Sequence, residues 1–132
     1  MKITAARRNA QLDNLTAQLN SGFCDIYAGT KPTDADTALS GNTLLASLPF
    51  GATAFAAASA GAAVANAITD DTSADATGTA SFARCFASNH TTAIADLTVG
   101  VGSGELQLNT LSIVSGVLVE ITALTFTQPL GA

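Results

Sequence analysis

Thr79-Ala80-Ser81-Phe82-Ala83-Arg84-Cys85-Phe86-Ala87 alternates at every step. In an extended chain Phe82, Arg84 and Phe86 fall on one face and Ser81, Ala83 and Cys85 on the other. A period of two predicts a strand. Ser88-Asn89-His90 is a turn-forming triplet, and residues 92–99 return with β-prone side chains, so the two runs predict a hairpin. Downstream, Gly100-Val101-Gly102-Ser103-Gly104 reads as a flexible loop, and Leu106 and Leu108 mark another short strand. Ser115-Gly116 then turns into the run Val117 to Gln128, the strongest strand of the chain in Val, Ile, Thr and Phe. Its apolar parity drifts, from Val117, Val119 and Ile121 to Leu124 and Phe126. A bulge, or burial of both faces, accounts for such a drift.

Upstream of the hairpin the pattern is the same. Phe23 to Ala28 is a short β-prone run, residues 29–36 form a loop around Pro32, and Thr43 to Phe50 is a second strand. Residues 51–63 are Ala, Gly and Ser with no apolar stripe, and are expected to run as an irregular connection. Val64 to Thr69 is a further strand candidate, followed by a polar turn over residues 70–75.

The first twenty residues differ. Leu12, Leu15 and Leu19 fall at i, i+3 and i+7, one stripe of a helix. Thr4 is placed to cap its start and Gly22 to follow its end. Arg8, Asn9, Gln11, Asn14 and Gln18 make a polar opposite side. Two readings of the stripe stand: it packs on the chain's own sheet, which is preferred, or it is an interface helix that docks on a neighbour. With strands separated by turns and no helices alternating with them, the expected fold is mainly β. It is an antiparallel β-sandwich or barrel-like domain with a short N-terminal α-helix. The division expected is a helical arm at 1–22 and a β-sandwich-like domain at 23–132.

Composition narrows the function classes. Charged residues are 11 % of the 132, against about 25 % in typical soluble domains. The surface must therefore be mostly Thr, Ser, Asn, Ala and Gly, which is easily buried against a partner. A formal net charge of −5 argues against nucleic acid and against an anionic membrane surface, both of which need clustered Lys and Arg. The uncharged run Leu44 to Thr69 is long enough to span a bilayer, but it is rich in Ala, Gly, Ser and Thr and is interrupted by Pro49, Gly51 and Gly61. The basic start, Met1 to Arg8, is not followed by the apolar segment of a secretion signal.

Residues that carry chemistry are few. His90, the one histidine, lies in a predicted turn with no neighbouring nucleophile or orienting carboxylate, and is read as an exposed turn residue. Arg84 is expected to pair with a carboxylate on a neighbouring strand, such as Glu120. Asp70, Asp71 and Asp75 offer oxygens of the kind calcium takes, but without the spaced acids, central Gly and closing Glu of a calcium loop. The Gly100, Gly102, Gly104 series lacks the basic residue and the following helix of a phosphate loop. Cys24 and Cys85 are in no metal-ligand spacing and read as small buried hydrophobes, with a disulfide as the lesser alternative. Asn14-Leu15-Thr16 and Asn89-His90-Thr91 match the glycosylation tripeptide, a pattern frequent by chance. A sugar-cleaving site is disfavoured by the absence of Trp and the single Tyr27. No catalytic, cofactor-binding or metal-ligating residue is assigned, no cofactor is expected, and the chain is read as non-enzymatic.

One resemblance bears on function. Ile26-Tyr27-Ala28-Gly29-Thr30-Lys31-Pro32 is followed in order by Thr43-Leu44-Leu45-Ala46-Ser47-Leu48-Pro49-Phe50 and Ala65-Asn66-Ala67-Ile68. Thr77-Gly78-Thr79-Ala80-Ser81-Phe82-Ala83-Arg84 and Leu106-Gln107-Leu108-Asn109-Thr110 complete the series. It resembles small structural proteins of tailed-bacteriophage and prophage virions. That resemblance implies a structural role in the particle, first as a capsid decoration (cement) protein and second as a tail, collar or fibre component. The expected partners are the major capsid protein and further copies of the chain, as a homotrimer. The expected location is the virion, assembled in the bacterial cytoplasm. The resemblance carries over no catalytic residue.

Overall fold

The structure, a computed structural model, describes residues 1–128, so the last four residues of the span 23–132 lie outside the described residues. Helix α1 (Ala5–Ala17) precedes nine strands among those residues. They are β1 (Phe23–Ala28), β2 (Thr43–Pro49), β3 (Ala62–Val64), β4 (Gly78–Thr79), β5 (Phe82–Phe86), β6 (Ala93–Gly100), β7 (Leu106–Leu108), β8 (Ser112–Ile113) and β9 (Ile121–Thr127). Seven of them make one sheet in the order β2-β1-β5-β6-β7-β9-β3, and β4 and β8 pair separately. The protein is thus mainly β with a short N-terminal helix.

The decisive hairpin is β5–β6, with Phe82 opposite Thr98 and Arg84 opposite Asp96. Every pairing is antiparallel except β6 with β7, where Val99 lies beside Leu106, so the sheet is mixed. There Gly102 and Gly104, both at positive φ, loop the chain back to start again beside the strand it has just left. The side chains of Thr98 and Glu105 clip that loop: each receives a backbone N–H from the other residue. The parity drift in the last strand has the cause expected of a bulge. Gln107 faces Ala123 and Leu108 faces Ile121, which leaves Thr122 as an extra residue on β9. Leu124 and Phe126 then bury from one register and Val119 from the other.

The sheet does not close, yet its ends are tied. Ala65 N–H donates to the Leu124 carbonyl, and Thr69 N–H donates to that of Pro49. Ile68 bridges to Phe50 and Asp71 to Val119, and Asp75 N–H donates to Leu45. Residues 65–75 therefore run as an irregular seam between β9 and β2, in place of the regular strand expected over 64–69. They cover the outer edge of β2, an edge that would otherwise offer unpaired groups to other chains.

Apolar side chains collect on both faces of the sheet. The larger cluster contains Cys24, Ile26, Leu48, Ala83, Cys85 and Leu97, joined by Leu106, Leu124 and Phe126 from the far strands. The opposite face carries Tyr27, Phe82 and Phe86, covered in part by Leu39 from the loop between β1 and β2.

Helix α1 belongs to the larger cluster. Leu12 in the helix and Leu19 in the turn just after it are fully buried in it, and Leu15 is half-buried against it, which is the first of the two readings of the stripe. Thr4 caps the helix, its Oγ1 accepting from Arg7 N–H. The expected helix-ending role of Gly22 is corrected: Ser21, at φ 57°, takes the left-handed position. Gly22 is needed for proximity, because a Cβ there would lie 2.2 Å from the Phe86 carbonyl oxygen. Polar side chains of the helix and of the turn after it hold the irregular stretch. Asn9 accepts from Gly61 N–H, Asp13 from Ala58 N–H and Asn20 from Ala54 N–H. These side chains supply partners that a strand ladder would otherwise provide.

Gly22→Ala is expected to destabilise the fold by about 1–3 kcal/mol, the usual cost of overpacking, although its backbone conformation suits alanine. Gly41→Ala, where nothing lies within 4 Å, serves as the comparison in which only the positive φ is strained. Urea denaturation of the two variants measures the difference.

Candidate functional site

The densest polar site crosses the sheet as a row. Ser47 on β2 lies opposite Asp25 on β1, Asp25 opposite Arg84 on β5, and Arg84 opposite Asp96 on β6. All four share the face that carries Phe82 and Phe86, because odd positions of β1 and even positions of β5 meet there. Arg84 Nε donates to Asp96 Oδ1 at 2.6 Å and its Nη2 to Oδ2 at 2.9 Å, a two-pronged pair with both side chains only 5 % exposed. Arg84 Nη2 also donates to the Asp34 carbonyl at 3.3 Å, which holds the loop between β1 and β2 down over this face. The expectation of Glu120 as the partner of Arg84 is thereby corrected. Glu120 precedes β9, far along the sheet order from β5, and is exposed.

Asp25 is the other centre of the row. Ser47 Oγ donates to its Oδ1, Tyr27 Oη reaches its Oδ2 at 3.4 Å, and His90 Nε2 lies 2.8 Å from the same Oδ2. His90 is an exposed turn residue, as expected, and its ring is also engaged. Its ring stacks on Phe23 at 3.9 Å, meets Phe86 edge-on, and is held at a positive φ of 60°. Asn89 builds that turn, its Oδ1 accepting from both Thr91 and Thr92 N–H. The orienting carboxylate missing from the local sequence comes from Asp25, 65 positions away.

Serine, histidine and aspartate meet here in an order unlike that of an acyl-transfer site. Both Ser47 and His90 bond to the one carboxylate, and no hydrogen bond joins the imidazole to the serine. The arrangement ties three segments together.

Burial, followed by the Asp25 carboxylate, pushes the Tyr27 phenol from its ordinary value of 10 up to about 12. Arg84 is raised chiefly by its hydrogen bonds to Asp96. Asp34 is lowered chiefly by the Thr37 hydroxyl, which donates to its Oδ1 at 2.7 Å. Next to the Asp34–Leu39 loop an open hollow of about 430 Å³ is lined by Asp36, Thr37, Leu39, Arg84 and Phe86. The guanidinium in its floor is already engaged by Asp96.

The remaining sequence candidates separate. Asp71 is a structural tie: its carboxylate accepts from Ser47 and Ser73 N–H. No group of three or more metal-ligating side chains converges among the described residues. Cys24 and Cys85 are free, fully buried and directly opposite each other on β1 and β5. Of the exposed large aliphatic residues among the described residues, Val114 (49 %), Val117 (52 %) and Leu118 (40 %) share one turn, whereas Val64 (56 %) and Val101 (58 %) stand apart from it. Ile113 and Val119 anchor that turn in the core.

Sequence reading missed Asp25, Ser47 and Asp96. A signal for Asp96 existed, since Arg84 and Asp96 lie on the two predicted strands at similar distances from the turn Ser88-Asn89-His90. Asp25 stands between Cys24 and Ile26, a charge inside an apolar run. Its partners come from distant segments, so only the fold brings them together.

No family model, no curated protein and no solved structure matches this chain.

Two outcomes follow from the row. Arg84→Met alone strands a buried carboxylate and is expected to cost about 3–5 kcal/mol in urea denaturation, whereas Arg84→Met/Asp96→Leu recovers at least half of that loss. Tyr27 is the only tyrosine and there is no tryptophan, so phenolate absorbance reports it alone. Its titration in the folded protein is expected near pH 12 and not near 10. Because the folded state holds that proton more tightly, the associated stabilisation is complete below pH 10 and lost as pH rises toward 12.

Proposed function

We propose that this chain is a structural protein of a tailed-phage particle, and within it a capsid decoration protein. On this reading, copies associate as trimers and bridge neighbouring capsid subunits. The observation that carries the reading forward from the sequence resemblance is the exposed aliphatic turn Val114–Leu118. It is bonded to the segment that carries Asp70, Asp71 and Asp75, through Ala74 to Gly116 and Val117 and through Asp71 to Val119, and it runs into the exposed Glu120. Apolar surface of this kind contributes roughly 25 cal/mol per Å² when a partner covers it. The carboxylates of Asp71, Asp75 and Glu120 beside it would be matched by basic groups of the partner.

The polar groups support the same reading. The row from Ser47 to Asp96 bonds inward and cross-braces strands, and Asn9, Asp13 and Asn20 bind the chain's own backbone.

Separating purified particles into heads and tails and probing each for this chain tests the proposal. Co-purification with heads in a ratio near that of the major capsid protein is the expected result. Recovery with tails in a few copies would move the chain to the second reading, a tail, collar or fibre component. Absence from both fractions would refute the virion assignment. Val117→Asp/Leu118→Asp is expected to lower head occupancy while leaving the urea midpoint of the isolated chain unchanged.

A further inference from the structure

We propose that Cys24 and Cys85 form a redox-addressable pair that closes to an intramolecular disulfide across β1 and β5. This inference is independent of the proposed function. It stands on register and distance. The two cysteines are direct cross-strand partners, and their Sγ atoms lie 3.7 Å apart. Directly opposed residues of antiparallel strands have Cα atoms about 4.5–5.5 Å apart, inside the range of about 4.4–6.8 Å that a disulfide spans. Side-chain rotation that brings the sulfurs from 3.7 Å to bonding distance therefore needs no shift of register. Both residues face the same apolar cluster, with Ile26, Ala83 and Leu97 around them. A bond there would replace two small apolar contacts with one and leave no polar group unpaired.

In the folded chain the thiols are protected. The Cys24 thiol is pushed well above its ordinary value by its contact with Cys85 and by burial, which keeps it protonated. The thiolate is the attacking species in exchange, so the closed sheet is slow to react. Closure belongs to the folding chain, or to moments when β1 and β5 part. With glutathione disulfide as oxidant the step balances. One cysteine thiolate attacks a sulfur of glutathione disulfide, forming a mixed disulfide and releasing glutathione thiolate. The second thiolate attacks the protein sulfur of the mixed disulfide, forming the Cys24–Cys85 bond and releasing the second glutathione. Two protein thiols are oxidised, one glutathione disulfide is reduced to two glutathiones, and the two protons leave with them.

The experiment refolds the full chain from urea in a buffer of oxidised and reduced glutathione, where both thiols are accessible as the strands pair. The expected product is a monomeric chain lighter by two hydrogens, with the Cys24 and Cys85 peptides joined in a non-reducing digest. The bond encloses the 61-residue separation between the cysteines, and the urea midpoint is expected to rise by about 1–2 M over the reduced chain and to fall back on reduction. Cys24→Ala and Cys85→Ala chains, taken through the same refolding, should show no such rise. A folded chain that keeps both thiols free, a product linked between chains, or a midpoint lowered by the bond would each overturn the proposal.

Discussion

The ion pair between Arg84 and Asp96 is the constraint around which the sheet is arranged. Both side chains are removed from water, and a buried charge is tolerated only when its partner stands in the right place. A slip of β5 against β6 by two residues would keep the faces but set the guanidinium against Thr98 or Ile94. A slip of one would drive it into the apolar face. The same register aligns Asp25 with Arg84 and Ser47 with Asp25, so one pairing propagates across four strands. Loop placement follows as well, because the guanidinium also holds the Asp34 carbonyl over the second face.

The opposite face depends on packing rather than on pairing. A chain with few aromatic residues and much alanine builds its larger cluster by drawing residues from both ends of the sheet and from the helix. Leu12 and Leu19 enter it, and the seam of residues 65–75 binds β9 to β2 around it. The alanine- and glycine-rich stretch needs help to keep this course, since it has neither a helical stripe nor a ladder of its own. Asn9, Asp13 and Asn20 supply that help as acceptors for its N–H groups. The N-terminal segment is thus both a hydrophobic element and a clamp.

These inward commitments bear on function. Serine, histidine, tyrosine and aspartate gather around Asp25, but they share one carboxylate and are consumed in joining the turn at His90 to β1 and β2. The outward surface carries hydroxyls, small apolar groups, the Val114–Leu118 turn and exposed charges such as Lys31, Asp36, Asp70 and Asp75.

Much of this was legible in the chain itself. Alternation over residues 79–87 placed Phe82, Arg84 and Phe86 on one face, the leucine spacing located the helix, and the parity drift of the last strand marked its bulge. Such features are local: they depend on the period of a strand or a helix and survive without knowledge of neighbours. Which carboxylate meets Arg84, what gives His90 its partner, why Gly22 must be glycine and how residues 65–75 join two edges were decided only by tertiary structure. Each of these depends on contact between segments tens of residues apart. A hydrogen bond or a close approach is set by distance in space, and spacing along the chain does not encode it.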